Sequence, residues 1–296
     1  MSTFFAIMKR NIKLFFRDKA MFLTSLITPV ILLVLYATFL GDVYRDSFTA
    51  NLPEGFELSE KLLGGLVGGQ LISSILAVSC VTVAFCSNFL MVQDKATGAA
   101  KDLLMSPVKP SLLALGYYLS SIACTLIICF SAAAVCLCYM AAVGFYMSLA
   151  DVLLLLLDVV LLVLFGTAAS SVVSFFLSTQ GQISAVGSMV SSCYGFISGA
   201  YMPISSFGES LQAVISFLPG TYGTSLLRSH AMRGAISEAV AQGLPAEATD
   251  AIRDVLDINL YFFGGKVETP TMYAVLTLAT AALVIVYVLL HKFKKR

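Results

Sequence analysis

The sequence predicts an all-α polytopic membrane protein with six transmembrane helices, and three observations carry that prediction. Of 296 residues, 58% are hydrophobic and only 12% charged, with a mean hydropathy of +0.91, which excludes an ordinary soluble domain. The charges gather in a few short stretches that separate long uncharged runs. With six spans drawn, Lys and Arg number 12 on one side and 6 on the other. The basic side is then cytoplasmic by the positive-inside bias, which puts both termini in the cytoplasm of a multi-pass cell-membrane protein. Residues 1–296 form one membrane domain.

Residues 1–19 open with a basic amphipathic helix. Phe4, Met8, Ile12 and Phe15 recur at spacings of four, four and three, while Lys9, Arg10, Lys13 and Arg17 mostly take the other faces. That pattern suits an interfacial helix lying in the membrane lipid surface. It is not a signal peptide, because its five basic residues are interleaved with aromatics and no small-residue cleavage site follows a short apolar core.

The first span, residues 20–40, is uncharged for 21 residues, enough at ~1.5 Å per residue to cross ~30 Å of hydrocarbon. Pro29 is tolerable there because neighbouring helices and the hydroxyls of Thr24, Ser25 and Thr28 can satisfy the backbone groups it frees. An acidic connection follows over residues 41–61. The second span, 66–92, is preceded and opened by GGLVGGQ. Gly64/Gly68 and Gly65/Gly69 at four-residue spacing permit close helix packing, and the same glycines equally suit a flexible entry loop.

Residues 93–110 carry five charges, Asp94, Lys95, Lys101, Asp102 and Lys109, between two long uncharged segments. This short, polar, helix-prone insert reads as a handle held into water for another protein to push on. The third span is 111–143, turning near Gly144, and the fourth is 151–177, ending in the polar turn STQGQ. The fifth runs over 183–201 and stops at Met202-Pro203. Residues 208–218 place Leu211, Val214, Ile215 and Leu218 on one helical face but are too short to span, so they form a re-entrant or interfacial helix. From Arg228 to Glu268 the chain turns polar and soluble-looking, with Pro245 starting a helix that packs through Ile252, Val255 and Leu256. Residues 203–268 thus make a re-entrant and extracellular segment. The last span is 271–290, followed by the basic tail HKFKKR.

The chemistry open to such a chain is narrow. All seven cysteines fall in apolar segments, no Cys/His cluster has zinc spacing, and His230 and His291 lie sixty-one positions apart, which argues against a disulfide framework and against a metal site. The one Gly-Lys pair, Gly265-Lys266, lacks the upstream glycine of a P-loop, so the chain does not hydrolyse ATP in that way. No GxSxG, HExxH or GxGxxG occurs, and no catalytic residue, cofactor or nucleic-acid partner is expected. Asp158 is the exception to the scarcity of ionisable groups in the spans. It lies seven residues after Asp151 on the same face, about two turns deep. An intramembrane acid is a functional candidate, and it can equally be a shallow residue with water or hydroxyl partners in a helix interface. If functional, Asp158 makes the alternative reading an ion-coupled secondary transporter working alone with a proton site.

The whole arrangement resembles the permease subunit of type-2 ATP-binding-cassette exporters. The insert resembles the family's pattern of an acidic residue, Gly, Leu-Leu and Ser-Pro, here Asp94, Gly98, Leu103-Leu104 and Ser106-Pro107-Val108. It departs from the family where Ala99, Ala100 and Lys101 stand in place of Thr and Glu. A second match is Ser198-Gly199, Pro203, Pro219, Tyr222 and Arg228, similar to the family's run from the fifth span through its re-entrant helices. The resemblance implies a cytoplasmic coupling helix between spans two and three, in which Asp94, Gly98, Lys101, Asp102, Leu103, Leu104 and Pro107 act with the interfacial helix on a separate nucleotide-binding ATPase subunit. It also implies a second permease, as homodimer or heterodimer, with ATP and Mg held by the partner. A drug, peptide or lipid-like molecule is the expected cargo, suited by apolar, aromatic-rich spans.

Overall fold

The computed structural model describes residues 3–50, 58–105, 108 and 110–293, and in them the chain is a helical bundle built around one enclosed rod. Helix α1 (Thr3–Arg17) ends at Asp18, whose extended backbone breaks the helix and whose carboxylate accepts the Met21 amide at 3.1 Å. Helix α2 (Lys19–Leu35) passes through Pro29 and continues by a π turn (Tyr36–Leu40) into α3 (Gly41–Ala50). Helix therefore extends into the segment expected to be an acidic connection. The reason is amphipathic spacing: Tyr44 and Phe48 are buried one turn apart, while Asp42 and Asp46 face outward. Tyr36 and Tyr44 stack across the π turn, with ring centroids 5.5 Å apart and planes 9° from parallel.

Helix α4 (Glu60–Thr97) is the rod. Its 38 residues, about 57 Å at helical rise, begin ahead of the expected span because Ser59 caps them, accepting the Leu62 amide at 3.3 Å. It ends at Gly98, whose φ of +87° is left-handed and permits the sharp exit into α5 (Ala99–Met105). Then come α6 (Pro110–Val143), α7 (Leu149–Phe176) and α8 (Gln180–Ile197), the last two opened by capping boxes, Ser148 with Asp151 and Thr179 with Gln182. The predicted polar turn STQGQ thus supplies a helix cap. After a 3₁₀ turn (Ile204–Ser206) follow α9 (Glu209–Ser216), α10 (Pro219–Ala241), α11 (Ala246–Val255) and α12 (Thr269–Phe293). Between the last two lies an unexpected antiparallel hairpin of β1 (Tyr261–Phe262) and β2 (Gly265–Lys266). Its turn residues Phe263 and Gly264 both have positive φ, as a two-residue hairpin requires.

Among the described residues, five helical stretches are long and apolar enough to cross a membrane: Lys19–Asp46, Glu60–Thr97, Ser111–Val143, Leu149–Phe176 and Thr269–Lys292. The chain is a multi-pass membrane protein. The span expected over 183–201 is not among them. In its place two shorter helices cover successive parts of α4. Helix α8, with four serines and two glutamines, lies beside the α5 end, where Gly187 faces Phe89. Helix α10 lies beside the other end, where Gly69 faces Met232. They meet where the Tyr194 hydroxyl would stand 2.6 Å from a Cβ on Gly220.

Helix α4 packs on α2, α6, α7, α8 and α10, and its most apolar stretch is wholly buried. The glycines near its start make that possible. A Cβ on Gly64 would stand 2.7 Å from Val143, one on Gly65 2.9 Å from the Tyr146 ring, and one on Gly69 2.7 Å from Met232 and 3.1 Å from the Ala231 carbonyl oxygen. Of the two readings of GGLVGGQ, close packing holds and the flexible entry loop does not. Gly69→Val is accordingly expected to destabilise the fold by about 1–3 kcal/mol through overpacking, measured as a lower melting temperature in detergent.

Candidate functional site

At the α5 end, three helices converge on Asp94. Arg10 of α1 donates to both carboxylate oxygens, at 2.7 and 3.0 Å, and the Tyr117 hydroxyl of α6 donates to the same group. Paired two-point contact of this kind is strong and directional. The Asp94 carboxylate raises the Arg10 guanidinium pKa above its ordinary value, with burial opposing. Asp94 is therefore turned inward, not presented to solvent. Helix α1 buries Ile7, Asn11 and Phe15, while Phe4, Met8 and Ile12 are only half-buried, a stripe turned from the expected one. Two local facts turn it: Asn11 finds the Ser120 hydroxyl at 3.3 Å, and Gly116 leaves room for Ile7, which a Cβ there would meet at 2.7 Å. Lys9, Lys13 and Arg17 face outward.

The insert itself is divided. Lys95, still on α4, donates to the carbonyls of Ser174, Phe175 and Leu177 at 2.9, 3.0 and 3.1 Å, so it satisfies the last turn of α7. Beyond Gly98, Leu103 of α5 packs inward on the cluster of Ile7, Met91, Leu113 and Tyr117. Lys101, Asp102 and Met105 face outward, Met105 with 84% of its surface exposed. Pro107 lies outside the described residues, as does the side chain of Leu104. The ends of α7 and α12 lie at this same end of the bundle, with the Phe175 and His291 rings 5.0 Å apart.

The second group of residues is buried around α10. Asp158 of α7 is fully buried. It accepts from the Tyr273 hydroxyl of α12 at 2.7 Å and pairs with His230 Nδ1 of α10 at 2.5 Å. One partner is thus a hydroxyl in a helix interface, as the sequence also allowed, and the other an imidazole; they come from two other helices, and Asp158 is fully buried and not shallow. Arg228 is 0% exposed: its Nη1 donates to the Leu256 carbonyl at 2.6 Å and to Asp257 Oδ2 at 3.3 Å, and its Nη2 to the Gly199 carbonyl at 2.8 Å. Asp257 also accepts the Ile204 amide at 2.6 Å. Burial pushes the Asp257 carboxyl above its usual range, against the pull of Arg228. Arg233 pairs with Asp151 at the start of α7.

Helix α10 therefore sets three basic side chains on three acids, Asp151 and Asp158 of α7 and Asp257 after α11, and most of it lies in the core. The expectation of a polar, soluble-looking stretch from Arg228 onward is corrected for α10, where Arg228 and His230 are buried against acids, while residues 240–251 and 261–268 are mostly exposed. The signal that could have found this helix is its content of small residues, Gly220, Thr221, Gly223, Thr224, Ser225, Ala231 and Gly234, which let it approach its neighbours closely. The other residues of the re-entrant segment shape its ends. Pro203 precedes the 3₁₀ turn, Pro219 is the first residue of α10, and the Tyr222 hydroxyl donates to the Ser216 carbonyl at 2.6 Å.

A family model described as ABC-2 type transporter matches residues 2–231, from α1 to the middle of α10. No curated protein matches the chain.

Proposed function

Because the chain belongs to the ABC-2 type transporter family, we propose that it is the membrane-spanning permease subunit of an ATP-driven exporter, acted on by a separate nucleotide-binding subunit through α1 and α5. The observation that carries this reading is the family match across a chain whose α5 end shows an outward face of Lys101, Asp102 and Met105 on a locked base. Leu103 seats α5 on that base, and Arg10–Asp94 joins α1 to it. Asp94 contributes by holding the two docking helices together. Gly98 sets the angle between α4 and α5, and Lys9, Lys13 and Arg17 meet lipid headgroups or the partner. In this reading ATP and Mg belong to the partner, this chain performs no hydrolysis, and the α5 end with both termini is cytoplasmic, in line with the charge bias.

A second permease is supported by the side of the bundle between α2 and α8. There a cavity of about 570 Å³ opens, and α8 turns Ser184, Ser188 and Ser192 outward at four-residue spacing. Hydroxyls in that position suit a protein neighbour or a path for cargo better than lipid tails. A drug, peptide or lipid-like molecule with apolar and polar parts fits such a path. Closure of the ATPase subunits would then shift the paired permeases between two arrangements by differential binding.

Reconstitution in proteoliposomes tests the reading, with a fluorescent lipophilic dye, a labelled amphipathic peptide and a short-chain fluorescent lipid as cargo. Flux of at least one is expected only with an ATPase subunit and ATP, and Asp158→Asn, which keeps an acceptor for Tyr273, is expected to retain most of it. Flux driven by a proton gradient through this chain alone, and lost in folded Asp158→Asn, would instead make it a secondary transporter.

A further inference from the structure

At the end of the bundle away from α5 lies a cavity of about 490 Å³, walled by α9, the first turn of α10, the end of α11 and the hairpin. Its volume is within the range of small-molecule sites. Three carboxylates line it, Glu209, Asp254 and Asp257, and among the described lining residues none is Lys, Arg or His. Asp257 already has Arg228. Asp254 does not have a basic partner among the described residues. Its Oδ1 accepts from the Asn259 amide at 2.7 Å and the Tyr261 hydroxyl at 3.0 Å, two neutral donors that aim the carboxylate without neutralising it. Glu209, the first residue of α9, is outward-facing and likewise has no basic partner among the described residues.

The rest of the wall is aromatic. Tyr222, Tyr261 and Phe263 line the cavity, and Phe263 is 77% exposed. Phe263 belongs to a ring group with Phe217 and Phe262, at centroid distances of 5.8 and 4.8 Å. Tyr222 is buried, whereas negative charge beside the exposed rings of Tyr261 and Phe263 attracts a cation twice, by ion pairing and through the ring quadrupoles. Among the described residues no trio of His, Cys, Asp and Glu is placed to hold a metal ion.

We propose that this cavity binds an organic ammonium cation bearing an apolar group, its charge between Glu209 and Asp254 and its apolar part on Tyr261 and Phe263. Soluble amphipathic amines and the headgroups of choline or ethanolamine lipids both present that chemistry. Binding here requires this chain alone, so a failure of ATP-driven flux leaves the inference standing.

The sequence contains no tryptophan, so Phe263→Trp places a single tryptophan, excited selectively beyond the tyrosine band, at the cavity mouth of the full-length chain. In maltoside micelles, benzyltrimethylammonium is expected to quench it saturably, whereas benzyl alcohol and benzenesulfonate do not. Adding Glu209→Gln or Asp254→Asn is expected to weaken binding by about tenfold or more. Both are mild changes, since Glu209 is exposed and asparagine still accepts from Tyr261, and an unchanged gel-filtration profile confirms that each folds. Competition by short-chain phosphatidylcholine assigns the cation to a lipid headgroup, and its absence assigns it to a soluble amine; both support the shared chemistry. No saturable quenching, equal quenching by the neutral and anionic probes, or undiminished affinity in both carboxamide variants overturns the proposal.

Discussion

Arg228→Met is expected to lower the stability of the fold by about 3–5 kcal/mol, a fall of about 10 °C in melting temperature. The guanidinium is fully enclosed and ties α10 to two other segments: the turn after α8 at Gly199, and the end of α11 through the Leu256 carbonyl and the Asp257 carboxylate. Methionine fills similar space but leaves two carbonyls without their donor and one buried carboxylate without its counter-charge, which is the expensive way to break an ion pair. Lysine is a poor substitute, because one ammonium cannot serve acceptors on both arms of a planar fork. The loss depends on pH with a definite sign. Burial raises the folded-state pKa of Asp257 against the pull of Arg228, so removing Arg228 raises it further. The deficit is smallest at acidic pH and grows as pH rises from the parent's folded pKa to the higher one of the variant. Adding Asp257→Asn to the methionine variant is expected to recover part of the loss and flatten that dependence. A methionine variant as stable as the parent at every pH refutes the assignment.

The second large effect is functional. Lys101→Glu with Met105→Asp is expected to reduce ATP-coupled flux in proteoliposomes by tenfold or more while leaving the melting temperature unchanged. Both side chains point outward from α5, so nothing inside the chain depends on them, whereas loss of an interface anchor costs about 2 kcal/mol or more of association. Leu103→Asp is a different case. Leu103 is seated against Ile7, Met91, Leu113 and Tyr117, and an aspartate there is expected to lower both flux and melting temperature. Full coupled flux in the double variant removes α5 from the docking role.

The five long apolar helices and the amphipathic leader were legible because lipid solubility and helical period are one-dimensional properties of the chain. The match to the ABC-2 type transporter family bears out the resemblance carried by the insert and by the run from Ser198 to Arg228. What was not legible depended on partners distant in sequence. Asp94 looks like a surface charge until Arg10 and Tyr117 are placed beside it, 84 and 23 positions away. His230 and Arg228 look like solvent residues until Asp158 and Asp257 come to them. Helix α10 is polar in composition and mostly core in position, because its buried Arg228 and His230 are paired in space and its small residues admit close neighbours. The glycines of GGLVGGQ were ambiguous for the same reason: only Val143, Tyr146 and Met232 decide between a loop and a tight seam.

Asp94 and Lys95 are consecutive on α4 and so leave its axis about 100° apart. One is tied to the leader helix and the other to the final carbonyls of α7. Spinning the rod would tear at least one of these moorings. Any load applied at α5 would therefore reach the far end of the rod as tilt or slide, where α10 packs on it.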